Sequence, residues 1–194
     1  MRIYLVRHGD ATAPEENPRR PLSAKGRAEV ERMASFLARG GVRPRRVLHS
    51  GKLRAGETAA ILASALAPGL MLEEAENLNP EDTPARLLSA ARGWVAAALE
   101  GRGNMNAAAN DILVVGHMPF MAQALAALVG AGAAGEFADF APGGAGRPNR
   151  KPVANTAAGP TDMVAFATGA VACLESDNGK WRLLWLVAPE LLGG

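Results

Sequence analysis

Ile112-Leu113-Val114-Val115 is an unbroken apolar run, and few folds can hide one. A strand with both faces apolar needs cover on both, which parallel sheets flanked by helices supply. The chain begins in the same manner. Arg2 to Val6 is a first strand, and Arg46 to His49 a second. Helical patterns separate them. Ser23 caps a helix that runs to Arg39, with Ala28, Val30, Met33, Ala34 and Leu37 as its apolar positions and Gly40-Gly41 as its stop. Leu53 to Leu66 is a second helix ended by Pro68-Gly69, Met71 to Ala75 a short strand, Thr83 to Leu99 a third helix and Pro119 to Val129 a fourth. This alternation predicts an α/β three-layer sandwich with a mostly parallel central sheet and helices on both faces.

The tail changes period. Met163 to Phe166 is apolar, and Ala170 to Leu174 leads through Asp177-Asn178-Gly179 to Trp181-Arg182-Leu183-Leu184-Trp185-Leu186. Two apolar runs joined by Asn-Gly predict an antiparallel hairpin. Gly130 to Asp162 shows no period. A loop of about 30 residues is unusual inside a compact domain, so residues 130–162 are expected to form a flexible insertion near the active-site rim. The whole of 1–194 is read as one domain, a length that suits a single well-buried core.

The strand ends carry the chemistry. The first strand runs into Arg7-His8-Gly9-Asp10-Ala11, and the ends of strands are where open α/β sheets place ligands. Arg7 offers a fork of donors matched to phosphate oxygens, His8 a ring nitrogen that is largely neutral near pH 7, and Gly9 a backbone able to approach an anion closely. The Ile112 run ends in Gly116-His117-Met118-Pro119, with a helix N-terminus following as an anion site. In Val47-Leu48-His49-Ser50-Gly51-Lys52-Leu53-Arg54, Ser50 is a candidate helix N-cap, and Arg54 falls on the first turn of the second helix.

Arg7-His8-Gly9, the Ser50…Leu53-Arg54-Ala55…Glu57-Thr58-Ala59 segment, Gly116-His117 and Arg20-Pro21-Leu22-Ser23…Gly26 together resemble the histidine phosphatase superfamily (phosphoglycerate mutase-like). The opening Arg-His-Gly-Asp-Ala resembles its SixA-type branch of phosphohistidine phosphatases. The similarity runs from Met1 to about Val129 and resumes from Met163 to about Leu192. In the family the second segment usually reads Ser-Pro-x-x-Arg-Ala-x-Gln-Thr-Ala; here Gly51 stands for the proline and Glu57 for the glutamine.

The resemblance implies a phosphatase in which His8 attacks phosphorus and forms a covalent phosphohistidine intermediate. Arg7 and Arg54 clamp the oxygens, and His117 donates to a phosphoryl oxygen or orients His8. Arg20, Gly9 and Ser50 are candidate substrate contacts. Larger members carry a general acid in a segment matched here by Asn77 to Thr83, so Glu81 and Asp82 are candidate proton donors, each equally explained as a helix-start or solvent-exposed carboxylate. Asp10 is read as fixing its turn. The implied partner is a phosphorylated protein, such as a histidine-containing phosphotransfer domain, or a small phosphorylated substrate. A small-molecule phosphomonoesterase is the alternative activity, and a non-catalytic phosphoprotein-binding module a further one, disfavoured by the intact nucleophile.

Composition narrows the class. Net charge is +2, three histidines stand without an Asp/Glu cluster, and no Lys/Arg run is interleaved with aromatics. Neither a metal site, a cofactor nor nucleic-acid binding is expected. Cys173 is the one cysteine, inside an apolar run, where a buried thiol is expected. The residues from Met1 enter a strand at once, so no signal peptide is expected, and no stretch approaches the roughly 18 apolar residues of a membrane span. A cytoplasmic protein is expected.

Overall fold

Alternate residues of the first strand serve different cores. In β1 (Arg2–Arg7) Ile3 and Leu5 join one buried cluster, while Tyr4 and Val6 join another on the opposite face. The same division recurs in β4 (Ile112–Gly116), where Ile112 and Val114 face the first cluster and Leu113 and Val115 the second. The computed structural model describes residues 1–100, 110–137 and 166–193. Around β1 and β4 it places α1 (Ala24–Arg39), β2 (Arg46–His49), α2 (Leu53–Leu66), β3 (Leu72–Glu74), α3 (Ala85–Leu99), α4 (Phe120–Phe137), β5 (Val171–Asp177) and β6 (Lys180–Val187). A single turn of 3₁₀ helix, Pro189–Leu192, follows.

One six-stranded sheet has the order β3-β2-β4-β1-β5-β6. The first four are parallel, and β5 and β6 are antiparallel additions beside β1. Helices α1 and α2 cover the Tyr4 face through Val30, Met33, Leu37, Ala59 and Leu62; α3 and α4 cover the Ile3 face through Leu87, Ala91, Phe120 and Leu125. Burying each large aliphatic side chain in these layers contributes roughly 1.5–3 kcal/mol. The three-layer mixed architecture is the one expected.

Local signals explain the boundaries. The Ser23 hydroxyl accepts from Gly26 N at 2.9 Å and caps α1, which stops where Gly41 adopts φ +74°. The β5–β6 link is Asn178-Gly179 with φ of +49° and +83°, the two left-handed residues that a type I′ hairpin requires. Arg46, the first residue of β2, forks onto Glu73 at 2.8 and 2.6 Å and lies over the Trp94 ring. Two expectations need correction. Ser50 does not cap α2, which starts at Leu53 with Lys52 in the cap position. Helix α4 continues to Phe137, so residues 130–137 extend a helix instead of opening an insertion. Alanine favours helix without any apolar period to reveal it. The rest of the expected insertion, and the strand expected from Met163, lie outside the described residues apart from Phe166. Among the described residues no helix is long and apolar enough to cross a membrane.

Candidate active site

The register of the sheet assembles the site. β1 and β4 pair with Arg7 opposite Gly116, and β2 and β4 with His49 opposite Val115. The next residue of each strand is therefore His8, His117 or Ser50, all at one sheet edge. The ladder even continues through them, with His8 N donating to Gly116 O at 3.0 Å and Ser50 N to Val115 O at 3.2 Å. The two imidazole rings end 4.9 Å apart between centroids.

The hydrogen bonds of His8 fix its tautomer. Nδ1 lies 2.7 Å from Gly9 O, a group that only accepts, so Nδ1 carries the proton. Nε2 is left with its lone pair, which accepts from Arg54 Nε at 3.1 Å. Burial, reinforced by the charges of Arg54, Arg7 and Arg20 and opposed by the bond to Gly9, pushes the His8 pKa down to about 4. His117 is pushed down to about 3, chiefly by burial and then by His8, Arg54, Lys52 and Arg20. Both rings are therefore neutral near pH 7. His117 Nε2 lies 2.6 Å from Ser50 Oγ, while its Nδ1 is buried without a hydrogen-bond partner among the described residues.

A cavity of about 320 Å³ opens over these groups. Arg7, Arg20 and Arg54 line it together with His8 and His117, and Pro80, Met118 and Thr168 complete its rim. Arg7 is anchored by Nη1 to Phe166 O at 2.7 Å, and its Nε is buried without a hydrogen-bond partner among the described residues. Burial lowers the pKa of both Arg7 and Arg54, against a guanidinium range high enough that both stay charged. Arg20 adopts φ +49° and is held by Nε to Thr12 O at 3.2 Å. Its loop is in turn tied to α2, because Glu57 Oε2 accepts from Leu22 N at 2.6 Å.

Seven of the expected residues can now be placed. His8, Arg7, Arg54, His117 and Arg20 share the cavity wall. Gly9 and Ser50 do not line it: Gly9 N donates to Thr58 Oγ1 at 3.1 Å, and the buried Ser50 hydroxyl is engaged with His117. A side chain at position 9 would also press into Val30, 2.7 Å from a Cβ built there. The candidate acids are not among the residues lining the cavity. Asp82 Oδ2 accepts from Asn79 N at 2.8 Å and closes a turn instead, and the cavity takes only Pro80 from that segment.

Asp10 does fix its turn, accepting from Ser23 Oγ at 2.6 Å through Oδ2, yet it also lines the cavity. Gly26 packs so closely on the Asp10 backbone that any Cβ there collides with it. Two contributions escaped sequence reasoning. Thr58 bridges Gly9 N and Arg54 O, and its place in the helix segment was a usable signal. Phe166 and Thr168 arrive from far along the chain with no local motif.

Comparison with known proteins gives the same direction. The sequence profile of the histidine phosphatase superfamily (branch 1) matches residues 3–81. The chain is 32% identical over 129 residues to the phosphohistidine phosphatase SixA of Escherichia coli (strain K12), spanning 66% of this chain and 74% of that protein. The fold is shared with the protein histidine phosphatase SixA complexed with tungstate, at a TM-score of 0.70, 24% identity and 99% coverage of both chains. It is shared also with a mycobacterial glucosyl-3-phosphoglycerate phosphatase in complex with VO3, at a TM-score of 0.60, 17% identity, and 94% and 96% coverage. With identity at this level over most of the SixA relative, the chain belongs to the histidine phosphatase superfamily, in its SixA-type branch.

Proposed function

We propose that this phosphatase acts on phosphohistidine carried by a protein, such as a histidine-containing phosphotransfer domain, and turns over through a phosphorylated His8. The observation that carries the reading is the bond from His8 Nδ1 to Gly9 O, which leaves Nε2 unprotonated and directed at the arginine cluster. In this reading a phosphoryl group enters the cavity and its oxygens take up donors of Arg7, Arg54 and Arg20, freeing the His8 lone pair. Nε2 then attacks in line, and charge spread over the phosphoryl oxygens is met by the guanidinium groups. In this reading neutral His117, whose ring centroid lies 4.9 Å from that of His8, donates to the same oxygens. Water subsequently attacks phosphorus and releases His8 and phosphate.

The leaving group decides the substrate class. An alkyl phosphate ester expels a strongly basic alkoxide, which needs a proton donor as the bond breaks. An imidazole, with a free pKa of about 6.5, departs readily once its ring is protonated. Glu81 and Asp82 do not line the cavity and both histidines are neutral, so the site favours the second kind. The SixA relative is itself named a phosphohistidine phosphatase, which supports the same reading. The test is turnover of a phosphohistidine protein, an aryl phosphate and glycerol phosphate side by side. We expect kcat/KM to fall in that order, with the last lower by at least about two decades. Efficient glycerol phosphate hydrolysis overturns the proposal in favour of a general phosphomonoesterase.

A further inference from the structure

Among the described residues lining the cavity, Asp10 is the one carboxylate, set beside Arg7, Arg20 and Arg54. Its charge opposes the binding of a phosphoryl dianion, so its place on that wall needs another cause. Two causes are visible and both leave an oxygen over. Oδ2 accepts from the Ser23 hydroxyl at 2.6 Å, a bond that a neutral acceptor also makes, though more weakly, and the carboxylate's charge favours the charged form of Arg7. Oδ1 has no hydrogen-bond partner among the described residues. Resting on the phosphohistidine reading, we propose that Asp10 is a specificity-determining residue, whose second oxygen accepts the N–H of the protonated leaving imidazole.

The chemistry balances without a proton passing through Asp10. In a phosphohistidine one ring nitrogen bears phosphorus, and the other takes a proton from solvent to give a cation. As the bond from His8 Nε2 to phosphorus forms, the P–N bond breaks and its electron pair stays on the departing nitrogen. The ring leaves as neutral imidazole, still carrying the N–H on its other nitrogen. A carboxylate facing that N–H stabilises the cationic ring before and during departure. An ester leaving group brings no N–H and gathers negative charge, which the same carboxylate repels. One residue thus favours the phosphoramidate and disfavours the ester.

The experiment measures kcat/KM on phosphoimidazole and on para-nitrophenyl phosphate for the parent, Asp10→Asn, Asp10→Ser and Ser23→Ala. Asparagine keeps an acceptor for Ser23 and removes the charge, and serine removes the charge with a shorter side chain; Ser23→Ala removes the turn contact, together with the α1 cap, and keeps the charge. We expect the phosphoimidazole-to-aryl ratio to fall at least about tenfold in both Asp10 variants and to hold in Ser23→Ala, as for loss of a hydrogen bond to a charged group. An unchanged ratio in the Asp10 variant that folds, or an equal fall in Ser23→Ala, overturns the proposal. So does a loss confined to the ester, which would make Asp10 an acid for ester cleavage. The parent's own profile keeps the two readings apart: failure to turn over phosphoimidazole or a phosphohistidine protein sinks the substrate class itself, whereas efficient turnover with an indifferent Asp10 sinks only this role.

Discussion

Arg54 donates through Nε to Nε2 of His8 at 3.1 Å, so the lone pair that the proposed mechanism offers to phosphorus is one that a guanidinium already holds. The contact keeps the ring aimed and unprotonated. In the proposed mechanism it also makes attack conditional on an oxyanion that competes for the guanidinium donors. The proposed nucleophile and its proposed clamp are then a single device.

Replacing that guanidinium by an ammonium removes the fork and the geometry of the contact. Arg54→Lys is expected to cost about 2–3 kcal/mol of transition-state stabilisation, roughly 30- to 200-fold in kcat/KM. Near-parental kinetics would return Arg54 to an ordinary helix arginine.

A covalent route leaves a chemical trace. Rapid quench with a labelled substrate should trap an acid-labile, base-stable phosphoenzyme in the parent, and His8→Ala should show neither the adduct nor turnover. An adduct that survives in His8→Ala places the nucleophile elsewhere.

Glu57 stands where the family usually has glutamine, and the structure says what the position does. Its Oε2 accepts from Leu22 N at 2.6 Å and ties the Arg20 loop to α2. Glutamine retains an acceptor oxygen, so Glu57→Gln should behave like the parent. Glu57→Ala frees the loop and should lower kcat/KM by about 5- to 30-fold, the scale of one or two kcal/mol for a lost bond to a charged group. Equal losses in both variants would show that charge, not the tie, matters.

His8 and His117 both make stability depend on pH. An unfolded histidine titrates near 6.5, whereas His8 holds off protonation to about 4 and His117 to about 3. Above about pH 6.5 neither state is protonated and there is no effect. Below it the unfolded chain takes up protons that the folded one refuses, so stability falls, at about 1.4 kcal/mol per pH unit for each histidine. The loss is complete once pH drops below the folded values. Urea midpoints measured from pH 7 to pH 4 should therefore decline less steeply for His117→Gln, which cannot titrate, than for the parent. Parallel curves would mean that His117 protonates as readily in the folded state.

Much of this was legible in the residues. The apolar runs at Ile3 to Val6 and Ile112 to Val115 announced double-sided burial because neither strand has a polar face to spare. Asn178-Gly179 announced the hairpin because few other pairs accept two left-handed residues. The histidines followed from the strand ends. Ser50 misled because its cap potential is local, while its hydroxyl is claimed by His117, 67 positions away in sequence. Helix α4 ran past its expected end because its last residues have no amphipathic rhythm, and Gly130, Gly132 and Gly135 read locally as breakers although the helix continues through them. Asp10 was read in part: the turn was visible from sequence, but its exposure to the cavity depends on where Arg20 and Arg54 come to lie.

His8 and His117 are each bolted to the sheet at the first residue beyond a parallel strand, and the amide of His8 still bonds to the carbonyl of Gly116. Separating the two backbones thus demands shear between β1 and β4 against the hydrogen bonds they share, while the connections elsewhere can change length without moving these two positions apart. The reach from His8 to His117 is a property of hydrogen-bonded rails, and the loops around it are free to vary.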